Sequence, residues 1–493
     1  MFINLSLLSF VFKGSTDRNV HKLQFHPVVS RIRTCNRISR TSISLMSASK
    51  VSDKAHESDQ ISIENLCRSL GATPEGQLNL RSSKGERGIF LNRGVDNDDV
   101  ILRIPINSCV RDDTPPHWYD QGHDDGNDEK SHPYNPSKWA IRLAASLIDL
   151  GLCATEGSDN KDILYAKKQW LEMMPDPEYL RASLPIHWNE EILSSAKCTA
   201  LEIANDATYF ARADAVADLQ GTLESSEANE LIKGIDFDVA SLCNNALDLV
   251  QTRCCRVERI DGIQVHPPLR IVAPIFDFIN HGSSQYVGEG SSNAYFGLEG
   301  ENDDRALVVR ARRSIKANQQ ILIDYGDSAR PSWRSLASYG FIPAYSILGP
   351  DEEPSVGANE CVAEVFYNGV RYEVSSHSVP KELIETACAS YLEEEEETRT
   401  LAMADDIDEG SRNMFPPEVA LRLAKIMSDA SFDLSINDSD SNESNNMENE
   451  DDKFDPDSIA NNLVVSLRWT QNQVLLTCAL GLRDYAARED AST

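Results

Sequence analysis

Apolar residues three and four positions apart predict helices along much of the first half of the chain. A short run of this kind ends at Gly71, and a longer helix is predicted to begin near Ser137. The same periodicity continues over residues 163–260, so we expect a mostly helical stretch over about 137–260. The apolar face of its first helix consists of Trp139, Leu143, Leu147 and Leu150.

Short runs rich in β-branched or aromatic residues, bounded by Gly, Asn, Asp or Pro, predict strands on both sides of this helical stretch. A hairpin is predicted over 361–367 and 370–374, because Asn368-Gly369 is the strongest signal for a two-residue hairpin turn. The other predicted strands are 88–91, 100–104, 271–276, 294–298, 306–311 and 320–325.

The last part of the chain is predicted to be helical over 380–398, 416–430 and 457–487, with an acidic disordered loop at 433–457. Strands and helices do not alternate regularly, which disfavours a doubly wound sheet and favours an α+β fold. We predict a leader over 1–49, a first domain over 60–345 that contains the helical insertion, and a helical C-terminal domain over 346–493.

Length and composition indicate a globular protein of two or three domains. The chain has 493 residues, of which 41% are hydrophobic and 25% charged, and its net charge is −31. No apolar run approaches the ~20 residues of a membrane helix, so we expect no membrane association. The acidic balance argues against nucleic-acid binding, which requires clustered Lys and Arg.

The charge is distributed unevenly. Residues 1–50 contain eight Lys or Arg and one acid, a net +7 in a Ser- and Arg-rich segment typical of an organelle transit peptide. We expect a plastid or mitochondrial location. The alternatives are a disordered tail, or a start codon misassigned upstream of Met46, with a cytoplasmic or nuclear protein.

Two acidic segments, 393–409 and 429–457, together contribute −18. Five adjacent Glu residues at 393–397 are most simply a solvated helix face. The alternative is attraction of a basic, Lys-bearing protein substrate, an effect that salt would weaken. We expect a monomer that acts on such a protein.

The chain's eleven Cys residues are scattered, and no C-x-x-C pair offers zinc spacing. We therefore expect a reducing compartment and no metal site. The neighbouring Cys254 and Cys255 could form a redox device or could be small buried hydrophobes. Dinucleotide, P-loop, zinc-protease and serine-hydrolase motifs do not occur in the sequence.

Three short motifs remain as candidates for chemistry, and each is weak alone. They are Gly85-Glu86-Arg87-Gly88-Ile89, the run Pro274-Ile275-Phe276-Asp277-Phe278-Ile279-Asn280-His281, and Ile321-Leu322-Ile323-Asp324-Tyr325-Gly326 followed by Tyr339-Gly340-Phe341. In this order, over residues 78–342, they resemble the SET-domain methyltransferases. The closest resemblance is to the branch that contains the RuBisCO large-subunit lysine methyltransferase.

The resemblance implies a SET fold of small β-sheets with a pseudoknot and a helical insertion, followed by a helical substrate-binding domain. It implies S-adenosylmethionine as the cofactor, Tyr325 as the catalytic residue, and a substrate channel lined by Asp277, Ile279, Tyr325 and Tyr339. The implied cofactor-binding residues are Gly85, Glu86, Arg87, Arg253, Asp277, Phe278, Ile279, Asn280, His281 and Tyr339. The chain departs from the family's usual order by reading Gly-Glu-Arg-Gly at 85–88.

An aromatic hydroxyl suits methyl transfer to nitrogen, because it can hydrogen-bond the amine while its ring walls a narrow channel. The resemblance implies transfer to a lysine of a protein. A histidine acceptor is the chemical alternative, and a catalytically idle SET-like interaction module is the alternative outside the enzyme class.

Overall fold

The computed structural model describes the greater part of the chain beyond residue 62. The described residues are 63–74, 76–83, 86–121, 138–152, 161–225, 228–232, 238–260, 263–282, 291–301, 304–326, 331–342, 362–375, 378–399, 415–435 and 455–492. The predicted leader and most of both acidic segments lie outside these residues.

The described strands fall into two hairpins and one larger sheet. They are β1 (Leu78–Ser83), β2 (Glu86–Leu91), β3 (Val100–Pro105), β4 (Val110–Arg111), β5 (Cys255–Ile260), β6 (Ile263–Val272), β7 (Asn280–His281), β8 (Ala294–Glu299), β9 (Ala306–Ala311), β10 (Leu322–Ile323), β11 (Val362–Tyr367) and β12 (Val370–Ser375). The larger sheet has the order β3-β9-β8-β5-β6-β4. The short strand β10 runs parallel to both β7 and β8.

Helices fill the interval between β4 and β5 and most of the chain after β12. They are α1 (63–69), α2 (His117–Gln121), α3 (Trp139–Leu152), α4 (Lys161–Glu172), α5 (Pro177–Ser183), α6 (Glu190–Ser195), α7 (Thr199–Ser225), α8 (Asn229–Ile232), α9 (Val239–Arg253), α10 (Ser332–Tyr339), α11 (Lys381–Arg399), α12 (Pro417–Leu434) and α13 (Pro456–Ser492). None of these described helices is long and apolar enough to cross a bilayer.

Three hydrophobic cores hold these elements together. The largest joins α3, α4 and α9 of the helical insertion to the sheets, and Trp170 of α4 is fully buried within it. A second core packs the β11–β12 hairpin against α11, α12 and α13. The third lies between α6, α10 and the first part of α13, so the C-terminal helix contacts both halves of the chain.

Local signals account for how several elements begin and end. Asp238 caps α9, because its carboxylate accepts the backbone N–H groups of Ala240 and Ser241 at 3.2 and 3.1 Å. Helix α10 ends at Gly340, whose φ of 73° favours glycine. A Cβ on Gly340 would lie 2.8 Å from Ser183 Oγ, so glycine also permits this close contact with α5.

The sequence predicted many elements correctly. The strand over 306–311 is observed with the same bounds, and the hairpin turns at Asn368 and Gly369 as predicted. The three C-terminal helices are observed at Lys381–Arg399, Pro417–Leu434 and Pro456–Ser492. The α+β fold class is confirmed.

Other predictions were wrong. The helical insertion ends at Arg253 rather than near residue 260, because Cys255–Ile260 forms β5. Its partner β6 was missed over 263–270. Pro267 and Pro268 lack a backbone N–H, and they fall where the β5–β6 register shifts. Strand β1 was also missed.

Two further strands are shorter than predicted. The predicted strand 271–276 stops at Val272 and gives way to a tight turn, and only Leu322–Ile323 of the predicted strand 320–325 is extended in a sheet. At the first place local hydrogen bonds within the turn replace strand pairing, and at the second place hydrogen bonds to Asn293 do so.

Candidate functional site

The three sequence motifs meet where β2, β7 and β10 come together. Strand β10 pairs with β7 in register, Leu322 opposite Asn280 and Ile323 opposite His281. On the other side, the Ile321 N–H donates to the Ile89 carbonyl of β2 at 2.8 Å. Segments more than 200 residues apart in sequence are thus neighbours.

Asn293 holds the last of these segments in place, and sequence reasoning missed it. Its side-chain Nδ2 donates to the Gln320 carbonyl at 2.8 Å, and its Oδ1 accepts the Leu322 N–H at 2.9 Å. Its own backbone N–H donates to the Leu322 carbonyl at 3.0 Å. This buried amide completes the hydrogen bonding of a very short strand. A lone Asn in a polar run gave no sequence signal for this role.

Gly88 of β2 allows a close approach to the second and third motifs. A Cβ at this position would lie 2.2 Å from Gln320 Nε2 and 3.0 Å from Asn280 Nδ2. Asn280 Nδ2 also donates to the backbone carbonyl of Arg87 at 3.0 Å. A larger residue at position 88 would therefore displace the ends of the Gln320 and Asn280 side chains, so glycine favours this arrangement through packing rather than through backbone conformation.

A strained turn shapes the second motif. Ile275 has φ 72° and ψ −49°, and the Phe276 N–H donates to the Pro274 carbonyl at 2.8 Å, which closes a γ-turn. A short 3₁₀ turn over Phe276–Phe278 follows. A positive φ at a β-branched residue costs about 1–3 kcal/mol, and strain of this kind concentrates at functional sites.

Asp277, at the centre of this turn, is an almost completely buried carboxylate, 6% exposed. Its Oδ1 accepts the indole N–H of Trp170 at 3.0 Å, while its Oδ2 has no hydrogen-bond partner among the described residues. Burial raises the pKa of Asp277 to about 6, and Arg253, the Trp170 hydrogen bond and Arg87 limit the rise. The Asp277 carboxyl therefore ionises close to neutral pH.

Tyr325 lies beside this turn within a group of aromatic rings. Its hydroxyl donates to the Ile279 carbonyl at 2.8 Å. Its ring centroid is 5.2 Å from that of His281, 5.1 Å from Tyr339 and 6.2 Å from Phe341. Four rings from three segments thus form an aromatic wall around one phenolic hydroxyl.

Two arginines hold the turn from different sides. Arg253, the last residue of α9, donates from Nη1 to the Asp277 backbone carbonyl at 2.7 Å, and its buried Nε has no hydrogen-bond partner among the described residues. The Arg87 guanidinium lies 4.9 Å from the centre of the Phe278 ring and donates to the Met173 carbonyl at 2.5 Å. Both residues thus have protein partners in addition to the cofactor roles that the sequence predicts.

The remaining predicted site residues are arranged as follows. Phe278 and Ile279 are buried, and Ile279 contributes its backbone carbonyl to Tyr325. Gly85 and the side chain of Glu86 lie outside the described residues. Trp170 is the second contributor that sequence reasoning missed, because it lies in the helical insertion and outside all three motifs.

Neither a metal site nor a disulfide is found in the described part of the chain. No group of three or more His, Cys, Asp or Glu side chains there could hold a metal ion. Cys254 and Cys255 are not disulfide-bonded, and burial raises the pKa of the Cys254 thiol to about 12 and that of Cys255 well above its usual range. Protonated thiols react poorly, which favours the small-hydrophobe interpretation of this pair.

Comparison with known proteins identifies the domain that carries this site. Residues 86–326 match the family model of the SET domain, which confirms the SET assignment made from the three motifs. No curated protein sequence matches the chain significantly.

Two solved structures illustrate the structural similarity. A SET domain of LSMT bound to lysine and AdoHcy is 14% identical, with 88% of this chain and 92% of that chain covered and a TM-score of 0.44. Rubisco LSMT bound to sinefungin and monomethyllysine is 13% identical with the same coverage and a TM-score of 0.46.

Proposed function

The chain contains a SET domain, and on that premise we propose that it is a protein-lysine N-methyltransferase that uses S-adenosylmethionine. The observation that carries the proposal is the Tyr325 hydroxyl, held by the Ile279 carbonyl inside an aromatic wall and next to the Asp277 turn. A protein substrate with a basic, Lys-bearing segment fits the acidic character of the chain, whose net charge is −31.

The residues present fit this cofactor. When bound, S-adenosylmethionine supplies a methyl group attached to a positively charged sulfur. Aromatic faces such as those of Tyr325, Tyr339 and Phe341 attract cations, and an ionised Asp277 adds negative charge. Gly88 lets β2 pack closely against the Asn280 side chain. Asn280 and His281, at the same edge of the sheet, are the side chains we expect to contact its polar parts.

Tyr325 has the chemistry needed to orient a target amine. A phenolic hydroxyl that donates its proton to a carbonyl can accept hydrogen bonds on its oxygen. The bond to Ile279 fixes the direction of that oxygen, and the rings of His281 and Tyr339 restrict the rotation of the Tyr325 side chain. Alignment of a nucleophile in this way is worth up to ~7–11 kcal/mol of the barrier.

The target lysine must lose its proton before it can accept a methyl group, against an ordinary pKa of ~10.4. Removal from water into an aromatic channel favours the neutral amine, and a neighbouring positive charge favours it further. Positioning and desolvation therefore account for the reaction without a dedicated general base. The same channel could admit an imidazole, so a histidine acceptor is the alternative that the experiment must distinguish.

The proposal is tested by labelling protein substrates with isotopic S-adenosylmethionine. Wild-type protein should gain thermal stability on binding the cofactor and should transfer label to a protein in a lysate. Tyr325→Phe should keep the cofactor-dependent stabilisation but lose at least about 10²-fold in labelling, because the oriented oxygen is removed. Acid hydrolysis of the labelled protein then identifies methyl-lysine or methyl-histidine.

Tyr295→Phe is the matched control, since the Tyr295 hydroxyl contacts Asp98 on an exposed part of β8. This variant should label as well as the wild type. If the wild type neither binds the cofactor nor labels any protein, the enzyme proposal is wrong and the idle interaction module becomes the better reading.

A further inference from the structure

The end of helix α4 is attached to the candidate site at two points. Trp170 is fully buried, and its indole N–H donates to Asp277 Oδ1 at 3.0 Å. One turn later, the Met173 carbonyl accepts the guanidinium of Arg87, which belongs to β2. The helical insertion is therefore hydrogen-bonded to two of the three motifs that form the site.

We propose that Trp170 is a positioning residue for methyl transfer, which fixes the Asp277 carboxylate in one orientation and keeps it ionised beside the transfer site. The inference rests on the proposed methyltransferase function. It assigns to a residue of the insertion a role that none of the three motifs contains.

The geometry limits what else could orient this carboxylate. Asp277 Oδ2 has no hydrogen-bond partner among the described residues, and Arg253 binds the Asp277 backbone carbonyl rather than the carboxylate. The indole N–H of Trp170 is thus the one side-chain hydrogen bond described for this carboxylate, and the backbone N–H of Asp277 itself makes a smaller contribution. Without that bond, rotation about the side-chain torsion would exchange the two oxygens.

Ionisation of Asp277 depends on the charged groups around it. Arg253 at the end of α9 and Arg87 in β2 favour the carboxylate, while burial disfavours it. The titratable thiol of Cys255 in β5 interacts with Asp277 as well. The Trp170 hydrogen bond favours the charged form, so its removal raises the pKa of Asp277 further above its ordinary value.

During transfer the positive charge moves from the sulfur of the cofactor to the methylated nitrogen. A fixed negative group lowers the barrier by stabilising the charge that develops on the nitrogen more than the charge already on the sulfur, and this requires that its orientation be fixed. A rotating or protonated carboxyl would supply less of this stabilisation.

The test compares Trp170→Phe with a control of the same chemistry. The Trp118 indole donates to Asp149 at 2.9 Å, and Trp118 is 4% exposed, so Trp118→Phe removes an indole–carboxylate bond that is partly buried and away from the site. For wild type and both variants, two profiles are measured over pH 5–9. One is kcat for methylation, and the other is the melting temperature of the protein without cofactor.

We expect the acid limb of kcat to move to higher pH by about one unit in Trp170→Phe, since a hydrogen bond to a charged group is lost. The melting temperature falls as pH rises until Asp277 is fully ionised, and the pH at which this fall ends should move upward by a similar amount. Trp118→Phe should leave both profiles in place. In an Asp277→Asn background, Trp170→Phe should no longer shift the pH dependence of the melting temperature, because the titrating group is absent.

Unchanged profiles in Trp170→Phe would overturn the inference, as would equal shifts in both Trp variants. The melting profile needs no cofactor or substrate. A wild type that transfers no methyl group would therefore refute the proposed function, while the shift in the melting profile would still test whether Trp170 controls the ionisation of Asp277.

Discussion

Asp277→Asn should make the protein more stable at neutral pH while removing its activity. The substitution keeps an oxygen that can accept the Trp170 N–H and removes a negative charge from a site that is only 6% exposed. Burial of a charge without a full set of partners is costly, and function is a reason to retain it.

The magnitude follows from the pKa of Asp277, which burial raises from 3.8 to about 6. The folded state therefore binds a proton more tightly than the unfolded state, so the wild type loses stability as pH rises through this window and loses no more above it. Ionisation of Asp277 lowers the free energy of unfolding of the wild type by about 3 kcal/mol in total. About 1.4 kcal/mol of it falls between pH 5 and pH 8.

The assay is urea denaturation at 25 °C, with the free energy of unfolding of wild type and variant measured at pH 5, 6, 7 and 8. The stability of Asp277→Asn relative to wild type should grow by about 1.4 kcal/mol across this range and level off above pH 7.

Parallel curves for Asp277→Asn and wild type between pH 5 and pH 8 would refute the reasoning. If instead the wild type gained stability relative to the variant over the same range, the pKa of Asp277 would be lowered rather than raised by folding. The partners of the carboxylate would then outweigh its burial.

Two further substitutions test the contact between the C-terminal hairpin and α7, and the close packing at Gly88. Glu364, which is 8% exposed, accepts the backbone N–H groups of Thr199 and Ala200 at 3.0 and 2.8 Å and pairs with Arg371. Glu364→Gln should lower the free energy of unfolding by about 2–4 kcal/mol, against less than about 1 kcal/mol for Glu373→Gln, measured by urea denaturation. Gly88→Ala should weaken S-adenosylmethionine binding about 3- to 10-fold by calorimetry, because the new Cβ crowds Asn280 Nδ2 and so displaces a side chain that we expect to contact the cofactor. Gly297→Ala, which meets no atom within 4 Å, should bind normally.

Local interactions made a large part of this structure predictable. The β11–β12 hairpin turns at Asn368-Gly369 because these two residues accept the backbone angles that a tight turn needs. The C-terminal helices follow from apolar spacing over many residues, and the order of the three motifs was sufficient to indicate a SET domain. For the hairpin and the helices the signal lies within a short stretch of chain, whereas the SET resemblance rests on the order of three motifs over residues 78–342.

The precise form of the site depends on contacts between residues that are far apart in the sequence. Trp170 and Asp277 are 107 positions apart, and Asn293 reaches Gln320 across 27. Helical periodicity over 163–260 predicts a helix around Trp170 but cannot say which polar group its indole meets. Strand β10 is limited to two residues because Asn293 takes over the hydrogen bonds on its edge.

By itself, then, the sequence determined the α+β class, the hairpin and the helices, because backbone preferences and apolar spacing act over a few residues. The identity of the domain followed from the resemblance of three ordered motifs to a known family. The ionisation of Asp277, the orientation of the Tyr325 hydroxyl and the role of Trp170 arose only in the tertiary structure. Each depends on burial and on a hydrogen-bond partner supplied by a distant segment, and neither quantity has a local signature.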